Sequence, residues 1–267
     1  MLIMENRTYS AAKTVIKAFK LLEELAEKQP AKASELAQKL GWTRSNLYRI
    51  LETLQSIGYV EKDPNSQYRL SIKLFLIGNS VRGIDQLSTI ARPYMKRLSE
   101  LSQETINLAI MYEDRVLYIE KVESPHYLRI DQPIGKTDPL YCTALGKVLL
   151  SGLTDAQLKE VLNSLQMTPY TKRTIIDPEV LTSVVGNVRK NGYAMDLEEL
   201  SAGIHCMAVP ICDHTNNVIA AVSISGPNVR LTEQRIDELL RELITMTGKI
   251  SKMMGSSEYA GVEKQSE

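Results

Sequence analysis

Six side chains able to contact DNA are concentrated in residues 43–49 of the chain. They are Thr43, Arg44, Ser45, Asn46, Tyr48 and Arg49. Arginine can donate two hydrogen bonds to guanine, asparagine can bridge the edge of adenine, and hydroxyl groups can hold phosphate oxygens. Because residues 43–51 contain two arginines and no acid, the stretch is locally basic. The set is chemically suited to reading a DNA groove.

The same stretch has the spacing of a helix that buries one face. Leu47, Ile50, Leu51 and Leu54 recur at intervals of three and four and share one side of a helix. Thr43 is placed to cap its N-terminus. Simple exposure to water would also produce a polar outer face, so the neighbouring elements must decide between a DNA-reading helix and a solvated one.

The neighbouring segments favour the DNA-reading interpretation. Apolar periodicity predicts one helix from Ser10 to the Gln29-Pro30 step and a second, short helix that ends on Gly41. Residues 59–72 then alternate as a hairpin around a turn. Three helices and a hairpin are the order of a winged helix-turn-helix domain, whose third helix enters the major groove.

The hairpin would form the wing of this domain. Lys62 and Arg69 lie on its two predicted strands. We expect both side chains to contact phosphates or the adjacent minor groove and to add little base information.

The rest of the chain predicts a second domain of mixed type. Helical periodicity over residues 73–103 is interrupted by Gly78, Gly83 and Pro93. We therefore predict a winged helix-turn-helix domain over residues 1–72, a linker helix over 73–93, an effector-type domain over 94–255 and a disordered tail over 256–267.

The second domain is predicted to be α+β with an antiparallel sheet. Helices are expected after Thr143, Thr154 and Asp177 and from Thr232 to about Met254, with strands within residues 105–123, 128–130, 204–212 and 217–225.

The last two predicted strands bring small polar groups to one face. Ile204, Cys206 and Ala208 alternate with larger side chains, and Ser223 and Ser225 share one side of the following strand. A hairpin with an even-numbered loop would put Cys206 beside the two serines. The serines could line a pocket or simply satisfy each other.

Composition excludes some classes of protein. The 267 residues include 32 basic and 32 acidic side chains, so the chain as a whole is not a polybasic binder of nucleic acid or membranes. Three cysteines without a CxxC pair, and the lack of a signal peptide or apolar membrane span, favour a reduced, cytoplasmic protein.

The sequence resembles the IclR family of bacterial transcription regulators from about Ser10 to Gly255. The resemblance rests on the segments LGWTRSNLYRILETLQSIGYV, LYCTALGKVLL, GYAMDLEELSAGIHCMAVPI and AAVSISGP. It implies a winged helix on a GAF-like domain, no enzymatic activity and no cofactor. It also implies a homodimer or a dimer of dimers that binds operator DNA and answers to a small organic acid. The segment YLRIDQPIGKTDPLYCTALGKVLL is most similar to ketodeoxygluconate-responsive members, so 2-keto-3-deoxygluconate is the first candidate effector and repression the expected action.

The expected effector-binding residues combine the resemblance with the strand pattern. They are Ala144, Leu145, Asp196, Ile204, Cys206, Ser223 and Ser225, all implied by the resemblance except Ile204, which shares the strand face of Cys206. A helix beginning near Thr143 would present free N–H groups to a carboxylate. Asp196 would accept hydrogen bonds from ligand hydroxyls, and the serines would donate to ligand oxygens.

Two other classes use the same residues. An enzyme would need a nucleophile and a base, for which only His205 with Cys206 or Cys142 is available, and strand neighbours point to opposite faces. A metal- or redox-responsive DNA-binding sensor could use Asp196, Cys206 and a histidine. Elemental analysis of the purified protein would distinguish a metal sensor from a sensor of organic acids.

Overall fold

The chain divides into two compact units, one ending at Arg82 and the other beginning at Gly83. The computed structural model describes residues 12–78 and 84–256. Ser10, residues 79–83 within the predicted linker helix, and the predicted tail from residue 257 onward lie outside the described residues.

The first unit is a three-helix domain with a small sheet. Its elements are α1 (Lys13–Glu27), β1 (Ala31–Lys32), α2 (Ala33–Leu40), α3 (Arg44–Ser56), β2 (Val60–Lys62), β3 (Gln67–Leu70) and α4 (Ile72–Gly78). The predicted hairpin of β2 and β3 is confirmed, and β1 adds a third antiparallel strand beside β3 that the sequence pattern did not reveal. Leucines of α1, α2 and α3 form a core that packs against Tyr68 of the wing.

The second unit wraps helices around one antiparallel sheet. Its elements are α5 (Ile84–Ser102), β4 (Thr105–Tyr112), β5 (Arg115–Val122), β6 (Thr137–Pro139), α6 (Ala144–Ser151), α7 (Asp155–Ser164), α8 (Pro178–Asn191), β7 (Ala194–Leu197), β8 (Ile204–Cys212), β9 (Val218–Pro227) and α9 (Glu233–Met253). The sheet has six strands in the order β6-β5-β4-β9-β8-β7. This α+β architecture and the helices capped by Thr143, Thr154 and Asp177 confirm the predictions.

The sheet separates two apolar cores. Helices α5 and α9 cover one face through residues such as Met95, Leu98 and Leu243. Helix α6, backed by α8, covers the other face through Val148 and Leu150. Because strand side chains alternate, the long strands β4, β5, β8 and β9 supply both cores.

Two details of the prediction were wrong. Residues 128–130 form no strand, because their carbonyls are bonded to side chains: Arg230 donates to the Leu128 carbonyl at 3.0 Å and Thr105 to the Ile130 carbonyl at 2.9 Å. Pro93 does not interrupt its helix but lies inside α5. The short strands β6 and β7 were also missed.

Within the described residues, every helix is too short or too polar to cross a membrane.

Candidate functional sites

The outer face of α3 presents the polar side chains that suggested DNA binding. Leu47 and Leu51 are buried beneath it, while Thr43, Arg44 and Arg49 are exposed. The hydroxyl of Thr43 accepts a hydrogen bond from the backbone N–H of Asn46 at 3.4 Å, as predicted for the helix cap. Neither arginine has an ion-pair partner within the described part of the chain, so both guanidinium groups can reach a nucleic acid.

Three further predicted contacts flank these arginines on α3. Ser45 and Tyr48 are exposed and Asn46 is half-buried. The structure therefore brings the six predicted residues of this helix to one accessible surface.

The wing is less available than its sequence suggested. Arg69 is paired with Glu61, its cross-strand neighbour, through two hydrogen bonds of 2.8 and 2.9 Å. Lys62 is exposed, with its ammonium group 5.5 Å from the centre of the Tyr68 ring. Lys62 can bind phosphate in its present position. Arg69 can do so only if its guanidinium group separates from Glu61 or contacts Glu61 and the phosphate together.

In the second unit, one row of polar side chains crosses the sheet beneath α6. Each of the six strands contributes at least one residue, and in strand order these are Asp138, Tyr118, Asn107, Ser223 with Ser225, Cys206 and Asp196. Strand register explains the alignment, because Asn107 lies opposite Ser223, Ser225 opposite Cys206, and Cys206 opposite Asp196. The row lines an internal cavity.

The cavity has a volume of about 170 Å³, below the roughly 300 to 1,000 Å³ of sites for drug-sized ligands. All seven predicted effector-binding residues line it, including Ala144, Leu145 and Ile204. The structure thus brings the seven together, and the volume suits a small metabolite.

The N-terminus of α6 forms part of the wall of this cavity. Thr143 caps the helix by accepting a hydrogen bond from the N–H of Gly146 at 3.0 Å. The preceding N–H groups, those of Ala144 and Leu145, have no hydrogen-bond partner among the residues described. Free N–H groups at a helix N-terminus favour an anion.

Gly146 allows this end of α6 to pack against the backbone of Leu140, the residue that follows β6. A Cβ atom at this position would lie 2.1 Å from the Leu140 carbonyl oxygen, far inside any permitted contact. The glycine therefore permits the close packing of the first turn of α6 on this backbone.

An amide at the centre of the row is not fully hydrogen bonded. The Nδ2 atom of Asn107 lies 3.4 Å from the Ser223 hydroxyl and 3.5 Å from the Ser225 hydroxyl. Its Oδ1 atom is buried and has no partner within the described structure. Whichever way the amide is turned, one of its two polar atoms lacks a protein partner. Leaving this buried atom unpaired costs free energy unless a ligand or a water molecule forms the missing hydrogen bond.

Two carboxyl groups mark the ends of the row. Burial raises the pKa of Asp196 to about 7, against the opposing effect of the Glu199 backbone N–H, which donates to its Oδ1 at 2.7 Å. Burial also raises the pKa of Asp138, which accepts hydrogen bonds from Tyr118 at 2.8 Å and Gln132 at 2.9 Å. Asp196 is therefore divided between its acid and carboxylate forms near neutral pH.

A buried ion pair supports the Asp196 end. Lys147 of α6 is paired with Glu199 and donates to the Met195 carbonyl at 2.9 Å. This joins α6 to the loop after β7 that carries Leu200 and Ser201 along the cavity wall. The positive charge of Lys147 is thereby engaged by Glu199 within this cluster.

The geometry does not favour a metal, redox or catalytic site here. Burial raises the pKa of the Cys206 thiol, which keeps it protonated and a poor ligand or nucleophile. His205 points to the other face, where its Nδ1 lies 2.9 Å from the Leu231 carbonyl oxygen. Within residues 12–78 and 84–256, no three His, Cys, Asp or Glu side chains cluster as metal ligands.

Comparison with known sequences identifies both units. Residues 14–64 match the IclR helix-turn-helix domain, and residues 81–252 match the C-terminal domain of the bacterial transcriptional regulator IclR. The chain belongs to the IclR family. It is an IclR-family transcriptional regulator with a DNA-binding domain and an effector-binding domain, and the family consists of regulators rather than enzymes.

Individual relatives place the chain near one branch of the IclR family. It is 38% identical to the transcriptional regulator KdgR of Escherichia coli over 92% of this chain and 94% of KdgR. It is 31% identical to the transcriptional repressor IclR of Escherichia coli over 91% and 90% of the two chains. These values agree with the predicted resemblance to the KdgR-like subgroup.

Solved structures of IclR relatives have the same fold. The Thermotoga maritima IclR structure has a TM-score of 0.76 at 32% identity, covering 91% of this chain and 99% of that one. An IclR homologue from Microbacterium hydrocarbonoxydans, complexed with 4-hydroxybenzoate, has a TM-score of 0.82 at 21% identity, covering 90% and 98%.

Sequence reasoning missed several residues of the cavity. These are Asn107, Tyr118, Ile130, Gln132, Asp138, Thr143 as a wall residue, Leu200 and Ser201. The period-two pattern put Asn107 on one face of its strand, but only the pairing of β4 with β9 shows that this face is the one with the serines.

Proposed function

We propose that the cavity beneath α6 binds a small hydroxy or keto acid and that binding switches a DNA-bound repressor. The first candidate effector is 2-keto-3-deoxygluconate. The observation that carries the proposal is that Ala144 and Leu145, whose N–H groups have no partner among the described residues, line the same cavity as Ser223 and Ser225. A carboxylate is the group that this arrangement binds best.

The neighbouring groups suit the atoms next to a carboxylate. The hydroxyls of Ser223 and Ser225 can donate to ligand oxygens. Asp196 can accept from an adjacent hydroxyl, or donate to a keto oxygen when it is protonated. We therefore assign the acid end of the effector to α6, the serines, Cys206 and Asp196. The relative that holds 4-hydroxybenzoate also binds a small acid, which supports this class of ligand.

DNA binding is assigned to the exposed face of α3, with the wing as an accessory. Arg44, Asn46 and Arg49 would read base edges, and Thr43, Ser45 and Tyr48 would contact phosphates. Lys62 and Arg69 would contact the backbone or the minor groove.

The active species is proposed to be a homodimer or a dimer of dimers. Helices α1 and α4 expose large apolar side chains, among them Phe19 at 60% and Phe75 at 63% of their surface. Such patches on a small domain usually mark an interface, and a second copy is the occupant expected for a regulator of palindromic operators. Replacing Phe75 with serine should shift the mass measured by light scattering toward the monomer; an unchanged mass would remove α4 from the interface.

For the effector to regulate, it must bind one arrangement of the dimer more tightly than the other. Operator DNA must then change effector affinity by the same factor as the effector changes DNA affinity. The switch is tested by measuring effector affinity with and without operator DNA and DNA affinity with and without effector, and by comparing the two factors.

The site itself is tested by isothermal titration, after a thermal-shift screen of sugar acids and keto acids. Asp196→Ala and the double variant Ser223→Ala/Ser225→Ala should each lower effector affinity by about tenfold or more. Ser183→Ala, an exposed serine of α8, is the matched control and should bind like wild type. If the cavity variants kept wild-type affinity and normal release from DNA, the effector would bind elsewhere.

A further inference from the structure

We propose that the end of the cavity away from Asp196 is a hydroxyl-reading subsite formed by Asn107, Tyr118, Gln132 and Asp138. This rests on the proposed function, because it assigns the second half of the same ligand. It makes the effector an acid with a hydroxylated carbon chain, and it disfavours aromatic and unsubstituted short-chain acids.

The buried amide of Asn107 is the first argument. The residue is 1% exposed, lies on the cavity wall, and has one amide atom without a partner among the described residues. An apolar ligand tail would seal this group away from water, whereas a ligand hydroxyl would satisfy it as either donor or acceptor.

The second argument is the group around Asp138. Tyr118 and Gln132 both donate to the same carboxylate oxygen, Oδ2, at 2.8 and 2.9 Å. The Tyr118 hydroxyl can still accept a hydrogen bond, the Gln132 amide can still donate and accept, and the carboxyl group can accept from a ligand. Neighbouring hydroxyl groups of a polyol need such alternating donors and acceptors.

The third argument is position. Asp138, Tyr118 and Asn107 belong to the adjacent strands β6, β5 and β4, and the serines follow on β9. A chain whose carboxylate lies at the α6 N-terminus can therefore extend across three strands along polar side chains. The apolar part of this wall is contributed by Ile130, which can pack on the carbon backbone of the ligand.

A site built to hydrogen bond a hydroxyl rejects the analogue that lacks it, because its own polar groups are then left unpaired. The subsite therefore determines which acids are preferred, and the α6 end of the cavity determines the general affinity for acids. The two ends can be separated by ligands that differ only in their hydroxyl groups.

The test compares two matched ligand pairs by isothermal titration of the full chain. One pair is 2-keto-3-deoxygluconate and 2-oxohexanoate, and the other is gluconate and 2-hydroxyhexanoate. The second member of each pair keeps the carbon chain and the acid end through C2 and lacks the hydroxyls further along the chain. The variants are Tyr118→Phe, which keeps the ring, and Gln132→Leu. The Ser223→Ala/Ser225→Ala variant reports on the acid end.

Wild type should bind a hydroxylated acid at least tenfold more tightly than its counterpart. Tyr118→Phe and Gln132→Leu should each remove most of this preference and leave affinity for the counterpart unchanged. The serine variant should weaken both members of the pair alike. Circular dichroism melting curves identify any variant that fails to fold, and Gln132, half-exposed, is the substitution least able to disturb folding.

The outcomes separate the two proposals. If wild type binds both members of a pair and the far-end variants weaken both equally, the subsite is wrong and the acid site stands. If wild type shows no preference for hydroxylated acids, the subsite is also wrong. If neither pair binds, the proposed function fails and the subsite with it.

Discussion

Asn107 and Ser223 lie directly opposite each other on strands β4 and β9, with the amide nitrogen 3.4 Å from the hydroxyl oxygen. The two residues are 116 positions apart in the chain. Their contact joins the serine half of the cavity to the half that contains Tyr118 and Asp138. The polar row under α6 is continuous because this strand pair is in register.

Arg44→Ala and Arg49→Ala should weaken operator binding. Each arginine is exposed on α3, and a base-reading arginine contributes on the order of 1 to 3 kcal/mol of discrimination. Gel-shift titration at fixed salt measures the loss. Arg97→Ala, an exposed arginine of α5 in the other unit, is the charge-matched control. Wild-type binding by both α3 variants would show that another surface reads the operator.

Lys62→Ala/Arg69→Ala should flatten the salt dependence of DNA binding. Phosphate contacts release counterions, so losing one reduces the slope of log affinity against log salt by about one. Since Arg69 is paired with Glu61, Lys62→Ala alone should account for most of the change, and Glu61→Gln should increase affinity. An unchanged slope in the double variant would remove the wing from the contact.

Asp196→Asn should flatten the dependence of stability on pH. Burial raises the pKa of Asp196 to about 7 in the folded protein, whereas an unfolded aspartate titrates near 3.9. The folded state therefore binds a proton that the unfolded state lacks between these values. The proton bound by Asp196 in the folded state increases the free energy of unfolding. This increase is fully present below the unfolded pKa and is lost as pH rises through about 7.

The measurement is chemical denaturation at several pH values between about 4 and 8. Wild type should lose more stability than Asp196→Asn across this range, since the asparagine does not titrate. Equal losses in the two proteins would show that Asp196 titrates normally.

Gly146→Ala should destabilise the effector-binding unit. The new Cβ would lie 2.1 Å from the Leu140 carbonyl oxygen, so α6 must move, at a cost of at least about 1 to 3 kcal/mol. Gly186→Ala in α8 is the matched control, because its Cβ would meet nothing within 4 Å. Removing a helical glycine there should stabilise by about 0.5 to 1 kcal/mol. Thermal melting distinguishes the two; a Gly146→Ala protein as stable as wild type would contradict the packing described for α6.

The sequence by itself determined the local features of this protein. The spacing of Leu47, Ile50 and Leu51 determined which face of α3 is buried, and cap residues such as Thr43 and Thr143 determined where helices begin. These features depend on residues within one or two turns of each other. The alternation around Cys206, Ser223 and Ser225 likewise fixed which side chains share a strand face.

Only the tertiary structure decided which of these faces meet. The pairing of β4 with β9 placed Asn107 beside the serines, and β6 brought Asp138 to Tyr118, although no local pattern marks Asn107 or Asp138 as a site residue. The sequence also did not predict the ion pair between Glu61 and Arg69. Nor did it predict that residues 128–130 form hydrogen bonds with side chains instead of pairing as a strand. Strand order and register are set by packing between segments far apart in the chain, and the cavity exists only once α6 closes over the assembled sheet.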